Sequence, residues 1–222
     1  PHASIVGYTN AGKSTLLNRL SGSEVLSTDM LFATLDTTTR RIDLPDGQPL
    51  LLTDTVGFVR NLPHRLVEAF KATLEESVLA DFLIHVLDAS SPEVESFHDT
   101  TLSVLAELGA GEKTMITVLN KIDQVTDPEQ MAFLRRTFPD AIHASALQNI
   151  GIDELLDACS SALASRVQRL RYRIPQSRAD LVGLLHRDAK ILSTDYEDND
   201  ILVHAVVPAA VSGRLVEFLA GD

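Results

Sequence analysis

The sequence predicts an α/β protein, with a doubly wound, mostly parallel sheet covered by helices and a small α+β domain after it. Three observations lead there. Short apolar runs alternate with stretches of helical periodicity over roughly the first 165 residues. Those runs are apolar throughout rather than at every second position, as in strands buried on both faces. Near residue 166 the rhythm changes to strand-like runs around a polar turn.

The first strand covers 3–6 and runs into GYTNAGKS, with a helix pattern at 15–20. A second strand covers 50–54. Pro63 stands where a first-turn proline is tolerated, and Leu66, Val67, Phe70, Leu74 and Val78 follow at helical spacing. Strands are expected at 82–87, at 115–119 and around Ile142, with helices at 93–108, 129–137 and 152–166. Beyond that, 170–174 reads as a strand and 178–187 as a helix. Runs 191–196 and 201–207 read as a hairpin turning at EDND, and Pro208 as the opening of a last helix to Leu219. The expected domains are 1–165 and 166–222, the second too small to be robust alone.

Composition narrows the class. At 222 residues, 45% hydrophobic and 23% charged, the chain has the make-up of a globular protein. No apolar run approaches the ~20 residues that span a bilayer. A single cysteine, Cys159, excludes a disulfide framework and a Cys-based zinc site, fits a reducing compartment, and reads as a small core residue. The net charge of −12 opposes nonspecific nucleic-acid binding, which rests on lysine and arginine at phosphates. Against that balance, Arg166, Arg169, Arg171, Arg173, Arg178, Arg187 and Lys190 face only Asp180 and Asp188. The 166–173 arginines are either a solvated linker face or a contact with RNA. The chain opens as PHASIVGYTN, with no initiator Met and no signal-peptide pattern, as if an upstream part had been removed.

The chemistry starts at Gly7, Tyr8, Thr9, Asn10, Ala11, Gly12, Lys13 and Ser14, which fill every fixed position of G-x-x-x-x-G-K-[ST], with Thr15 following. The glycines let backbone amides wrap phosphate oxygens at a helix N-terminus. Lys13 bridges β- and γ-phosphates in this motif, and Ser14 gives its hydroxyl to Mg²⁺. Asp54, Thr55, Val56 and Gly57 follow a strand, with the acid holding Mg²⁺ through its water shell and the Gly57 N–H meeting the γ-phosphate. Asn120, Lys121, Ile122 and Asp123 end another strand. Asp123 accepts from the ring N–H and amine of guanine, donors that adenine lacks, and Lys121 lays its stem over the base. Hydrogen-bond readout of this kind discriminates by up to about 10⁴-fold. Ser145, Ala146 and Leu147 supply a backbone N–H to the guanine oxygen.

Together with LFATLDTTTRR, LLTDTVGFVRNLPHRLVEAF and LLHRDAKILSTDYED, these boxes resemble the HflX family of ribosome-associated GTPases, in the Obg-like branch, over nearly the whole chain. The resemblance implies a P-loop GTPase domain and a carboxy-terminal domain, without the amino-terminal domain that HflX proteins carry. It implies GTP hydrolysis, binding near the large ribosomal subunit, and nucleotide-dependent splitting or rescue of ribosomes under stress; intrinsic hydrolysis is expected to be slow and raised by ribosomes, because Phe58 has no donor or acceptor with which to orient water. A monomer is expected, in a bacterial-type cytoplasm or in an organelle derived from one. By the same resemblance Phe32, Ala33, Thr34, Leu35 and Asp36 match the first switch, with Thr34 rather than Thr39 on Mg²⁺. Thr37 replaces the family's usual proline. Phe58 occupies the place where Ras-like proteins carry a water-orienting glutamine. Asn10 matches the asparagine of potassium-stimulated GTPases, so catalysis is assigned to Lys13, Gly57 and, through K⁺, candidate Asn10. His64 falls where the second switch enters its helix. Rival readings are an Obg- or Era-type assembly GTPase and a non-hydrolysing GTP sensor or scaffold.

Overall fold

The computed structural model describes residues 1–22, 38–57, 77–164 and 167–220. The chain divides into two compact units, one of Pro1–Ile42 with Pro49–Ala158 and one of Asp43–Gln48 with Cys159–Asp222.

The first unit is built on a six-stranded sheet. Its strands are β1 (His2–Val6), β2 (Thr38–Asp43), β3 (Pro49–Asp54), β4 (Phe82–Asp88), β5 (Met115–Asn120) and β6 (Ile142–His143). Their spatial order is β2-β3-β1-β4-β5-β6. β1 pairs in parallel with β3 on one side and β4 on the other, and β5 and β6 continue the parallel set. Continuous burial follows from continuous hydrophobicity: every residue of β4 is buried except Asp88. Ile5, Leu50, Leu52, Phe82, Leu83, Ile84 and Leu87 fill the centre of the core, with Leu16 and Leu17 from α1 (Lys13–Ser21). The other helices are α2 (Val94–Glu107), α3 (Pro128–Thr137) and α4 (Ile152–Ala162). Asp127 caps α3 by accepting from the Glu129 N–H, and Pro128 opens it. The chain leaves β1 for one side of the sheet and later crosses to the other. Such a reversal opens a crevice at the carboxyl ends of the strands, where open α/β sheets bind their ligands.

β2 was not foreseen. TTRRID carries few apolar residues, yet Thr38, Thr39 and Ile42 suit an edge strand whose charged Arg40, Arg41 and Asp43 discourage further pairing. A tight turn joins it to β3, with the Leu44 N–H donating to Gln48 O and the Gly47 N–H to Leu44 O.

In the second unit, β7 (Val167–Pro175), β8 (Lys190–Glu197) and β9 (Asp200–Pro208) form an antiparallel sheet in the order β7-β9-β8. Leu170, Tyr172 and Ile174 join Ile201, Val203, Ala205 and Val207 in one apolar cluster with Leu184 and Leu185 of α5 (Ala179–Asp188). The linker reading of 166–173 is corrected here: Val167–Pro175 pairs with β9 residue for residue. Alternation along the strand sends Arg169, Arg171 and Arg173 to the opposite face from Leu170, Tyr172 and Ile174. The last helix is corrected too. It stops at Ser212, and Gly213 follows. Leu219 instead bridges to Tyr172. The Ala220 N–H donates to Arg171 O. Cys159 lies in the core, where burial pushes its thiol up to about 12.

His85 on β4 is fully buried, its ring nitrogens have no hydrogen-bond partner among the described residues, and His98 stacks on it at 5.3 Å. Burial, helped by His98, pushes its pKa down to about 3, so the folded chain keeps it neutral. Only the unfolded chain takes up that proton as pH falls below about 6.5, and stability drops by up to about 1.4 kcal/mol per pH unit. Urea unfolding at pH 7 and pH 5 is expected to show His85→Leu losing about 2 kcal/mol less than the parent over that interval. Equal losses would contradict a buried neutral imidazole.

Candidate functional site

Four loops meet at the carboxyl rim of the sheet. The first begins where β1 ends, at Gly7, whose φ of 147° and approach to the Val86 carbonyl leave no room for a Cβ. Asn10 adopts a left-handed φ of 63° and Gly12 one of 92°. A Cβ on Gly12 would collide with the Asn120 amide. Gly12, which has no side chain to offer, stands at the N-cap of α1. Tyr8 turns into the core and stacks on Phe97 of α2 at 4.1 Å. This anchors the near side of the loop.

Lys13 is buried and its ammonium donates to Tyr8 O at 3.1 Å. Burial lowers its pKa to about 8, and Asp54 opposes the shift. The Ser14 hydroxyl donates to an Asp54 carboxylate oxygen at 2.5 Å. Asp54 is buried at the end of β3, and the Thr55 hydroxyl donates to Ile5 O at 2.7 Å to hold the two strand ends together. Beyond Val56, a Cβ on Gly57 would stand 2.8 Å from Lys13 Nζ and from Thr9, so only glycine fits against this loop. A hydroxyl beside a carboxylate offers hard oxygen donors of the kind Mg²⁺ takes, and Ser14 with Asp54 fits such an ion.

The other two loops are tied to the first by Asn120. Its amide donates to Ala11 O at 2.8 Å, and its carbonyl oxygen accepts the Ala146 N–H at 3.1 Å. Lys121, at φ 61°, pairs with Asp88 at 2.7 Å across the ends of β5 and β4. Ser90 bonds the other Asp88 oxygen through both its N–H and its hydroxyl. Ile122 and Asp123 begin a short 3₁₀ turn, and the Asp123 side chain is exposed rather than buried. Ser145 closes a hairpin with Ile150, each N–H donating to the other's carbonyl at 3.0 Å. Ala146 and Leu147 lie within that hairpin, and Arg19 of α1 donates to both of their carbonyls.

Gly7, Tyr8, Thr9, Asn10, Ala11, Gly12, Lys13, Ser14, Asp54, Gly57, Asn120, Lys121 and Ala146 are thus brought to one rim. Thr15 lies in the first turn of α1, and Ile122 bonds back to Ala144 O. Phe32, Ala33, Thr34, Leu35, Asp36, Thr37, Phe58 and His64 lie outside the described residues. Thr39 is on β2, its hydroxyl bonded to that of Thr53 at 2.8 Å. Sequence reasoning passed over Arg19 and Asp88. The signal for Asp88 was its place at a strand end beside Asn120; for Arg19, its single charge in an otherwise uncharged stretch of α1.

The family model described as 50S ribosome-binding GTPase matches residues 2–121. The chain is 57% identical over 222 residues to the GTPase HflX of Akkermansia muciniphila, covering 98% of this chain and 51% of that protein. It is similar in structure to a GTP-binding protein of Sulfolobus solfataricus in complex with GDP, at 27% identity and a TM-score of 0.61, over 74% of this chain and 53% of that one. It also resembles Era in complex with MgGDPNP and nucleotides 1506–1542 of 16S ribosomal RNA, at 26% identity and a TM-score of 0.55, over 72% and 56%. The chain spans about half the length of the curated relatives it matches.

Asn120→Ala removes two buried bonds at once, leaving the Ala11 carbonyl and the Ala146 amide unpaired. Thermal unfolding without added ligand is expected to show a loss of about 2–4 kcal/mol. An unchanged melting temperature would show that the three loops hold together without this side chain.

Proposed function

The chain belongs to the HflX family of P-loop GTPases, and we propose that it binds GTP at this rim, hydrolyses it, and acts as a nucleotide-dependent switch on the large ribosomal subunit. The observation that carries the reading is the fit of Gly57 against Lys13 and Thr9. It puts the segment that would sense a γ-phosphate directly beside the ammonium that would hold one.

In this reading residues 7–15 cradle the phosphates, with loop amides and the α1 N-terminus facing the anion and Lys13 neutralising the β- and γ-oxygens. Asn120, Lys121 and Asp123 hold the base, Lys121 by its stem and Asp123 by its carboxylate. Asp123 becomes buried only when a base covers it, and an adenine there would leave it without donors. The 145–147 loop supplies a backbone N–H to the guanine oxygen. Ser14 and Thr34 would hold Mg²⁺ directly and Asp54 through water, where the ion neutralises phosphate charge. The Thr39 hydroxyl is engaged on β2, which supports Thr34 in that place. Asn10, at a left-handed φ of 63° in the loop, would hold a K⁺ beside the phosphates.

Hydrolysis is in-line attack of water on the γ-phosphorus. The new P–O bond forms as the bond to the β–γ bridging oxygen breaks, and that oxygen leaves on GDP with the electron pair. Loss of the γ-phosphate releases the segment after Gly57, and the two states then differ in affinity for the partner. The partner we assign is the ribosome, with splitting or rescue of ribosomes under stress as the outcome. Arg169 and Arg171 are exposed on the outer face of β7 and suit a ribosomal RNA contact, whereas Arg173 is tied to Glu197 and Asp200. We place the GTPase domain at 1–165 and the second domain at 166–222, in a monomer of a bacterial-type cytoplasm. Among the described residues, no helix is long and apolar enough to cross a membrane.

The test is phosphate release from GTP by the full-length protein, with ribosomes, with separated subunits, and with neither. A basal rate near 10⁻⁴–10⁻³ s⁻¹, on the order of unassisted Ras, should rise at least tenfold with ribosomes and be faster in KCl than in NaCl at equal ionic strength. No release even with ribosomes would make the protein a non-hydrolysing sensor. Equal rates in the two salts would remove the K⁺ role.

A further inference from the structure

Arg19 sits on α1, six residues past Lys13, and reaches the loop after β6. Its Nε donates to Ala146 O at 2.8 Å and its Nη2 to Leu147 O at 3.0 Å. A guanidinium presents its donors as a rigid planar fork, so the two bonds fix two successive carbonyls together. Each of those carbonyls belongs to a planar trans peptide in which C=O and N–H point in opposite directions. Holding Ala146 O toward α1 therefore aims the Leu147 N–H away from Arg19. Holding Leu147 O likewise aims the Gln148 N–H, which donates to Ser145 Oγ at 3.0 Å.

The neighbouring amides are already committed. The Ser145 N–H donates to Ile150 O and the Ala146 N–H to Asn120 Oδ1. Among the described residues, the Leu147 N–H alone of the four from 145 to 148 has no protein acceptor. It is an aimed donor on a loop that Asn120 ties to the phosphate-side carbonyl of Ala11. A neutral acceptor on a flat ligand seated between these loops would complete it, and the 6-oxo group of a purine is such an acceptor.

We infer that Arg19 is a positioning residue for base recognition: by clamping the Ala146 and Leu147 carbonyls it aims the Leu147 N–H at the oxygen of a 6-oxopurine. This rests on the guanine-nucleotide reading and deepens it. The effect of Arg19 passes through the backbone carbonyls it holds. Sequence alone left open which amide of 145–147 reads the oxygen; the bonds above select Leu147.

The inference is tested by competition binding of three nucleoside diphosphates in magnesium buffer: GDP, inosine diphosphate, and the diphosphate of 2-aminopurine riboside. The first two carry the 6-oxo group and the third does not. Arg19→Ala should weaken GDP and inosine diphosphate about tenfold each, the size of one well-placed hydrogen bond, and leave the 2-aminopurine nucleotide within about twofold of the parent. Arg19→Gln keeps one donor for one carbonyl and should lose about threefold on the same two ligands. Equal weakening of all three ligands would overturn the inference, because a general loosening of the fold ignores the base. So would unchanged GDP binding by a folded Arg19→Ala. A folded parent that binds none of the three would remove the nucleotide reading itself, a result distinct from a parent that binds GDP and a variant that does likewise.

Discussion

The Asn120 side chain is the tie on which the candidate site depends. One amide group, buried between three loops, donates an N–H to the Ala11 carbonyl and accepts the Ala146 N–H at its oxygen. Loops at the carboxyl rim of a parallel sheet have no ladder to complete, yet their buried polar groups still need partners. A primary amide donates and accepts through separate atoms on opposite sides of one planar group, so Asn120 links a loop after β1 to one after β6 while it sits at the end of β5. A carboxylate could not donate to Ala11, and an apolar residue would strand both groups.

Charge is arranged around that tie. The chain carries a net charge of −12, which repels a polyphosphate at long range. The rim answers locally with Lys13 and the N-terminus of α1, while Asp54 sits close behind as a counter-charge. Burial makes the Lys13 ammonium easier to neutralise, and Asp54 keeps it charged, so the two shifts oppose each other within one small volume. Lys121 is held in the same way by Asp88, itself fixed by Ser90. Lys13, bonded to Tyr8 O, and Lys121, paired with Asp88, are therefore held in place rather than left to swing, which lowers the ordering cost of taking a ligand.

Much of this was legible in the sequence because chemistry and fold coincide at the strand ends. Continuous apolar runs placed β1, β3, β4 and β5, and the residues after them, Gly7, Asp54 and Asn120, stand where those runs stop. What escaped the sequence depends on tertiary partners. β2 is polar and forms only because β3 lies beside it. The stretch after Pro208 has the composition of a helix, yet Leu219 gains more by bridging to Tyr172 on β7. The strand at 170–174 was legible from the alternation of Leu170, Tyr172 and Ile174, whereas its extension back to Val167 through Arg169 rests on pairing with β9. Arg19 and Asp88 act on residues 127 and 33 positions away, separations at which no local pattern speaks.

The most direct measurement of the central claim is calorimetric titration of the folded chain with GTP, GDP and ATP in magnesium buffer. The account predicts saturable binding of both guanine nucleotides at one site per chain, with ATP weaker by at least about 10²-fold because Asp123 finds no donors on adenine. No heat with either guanine nucleotide, or equal affinity for ATP, would contradict it.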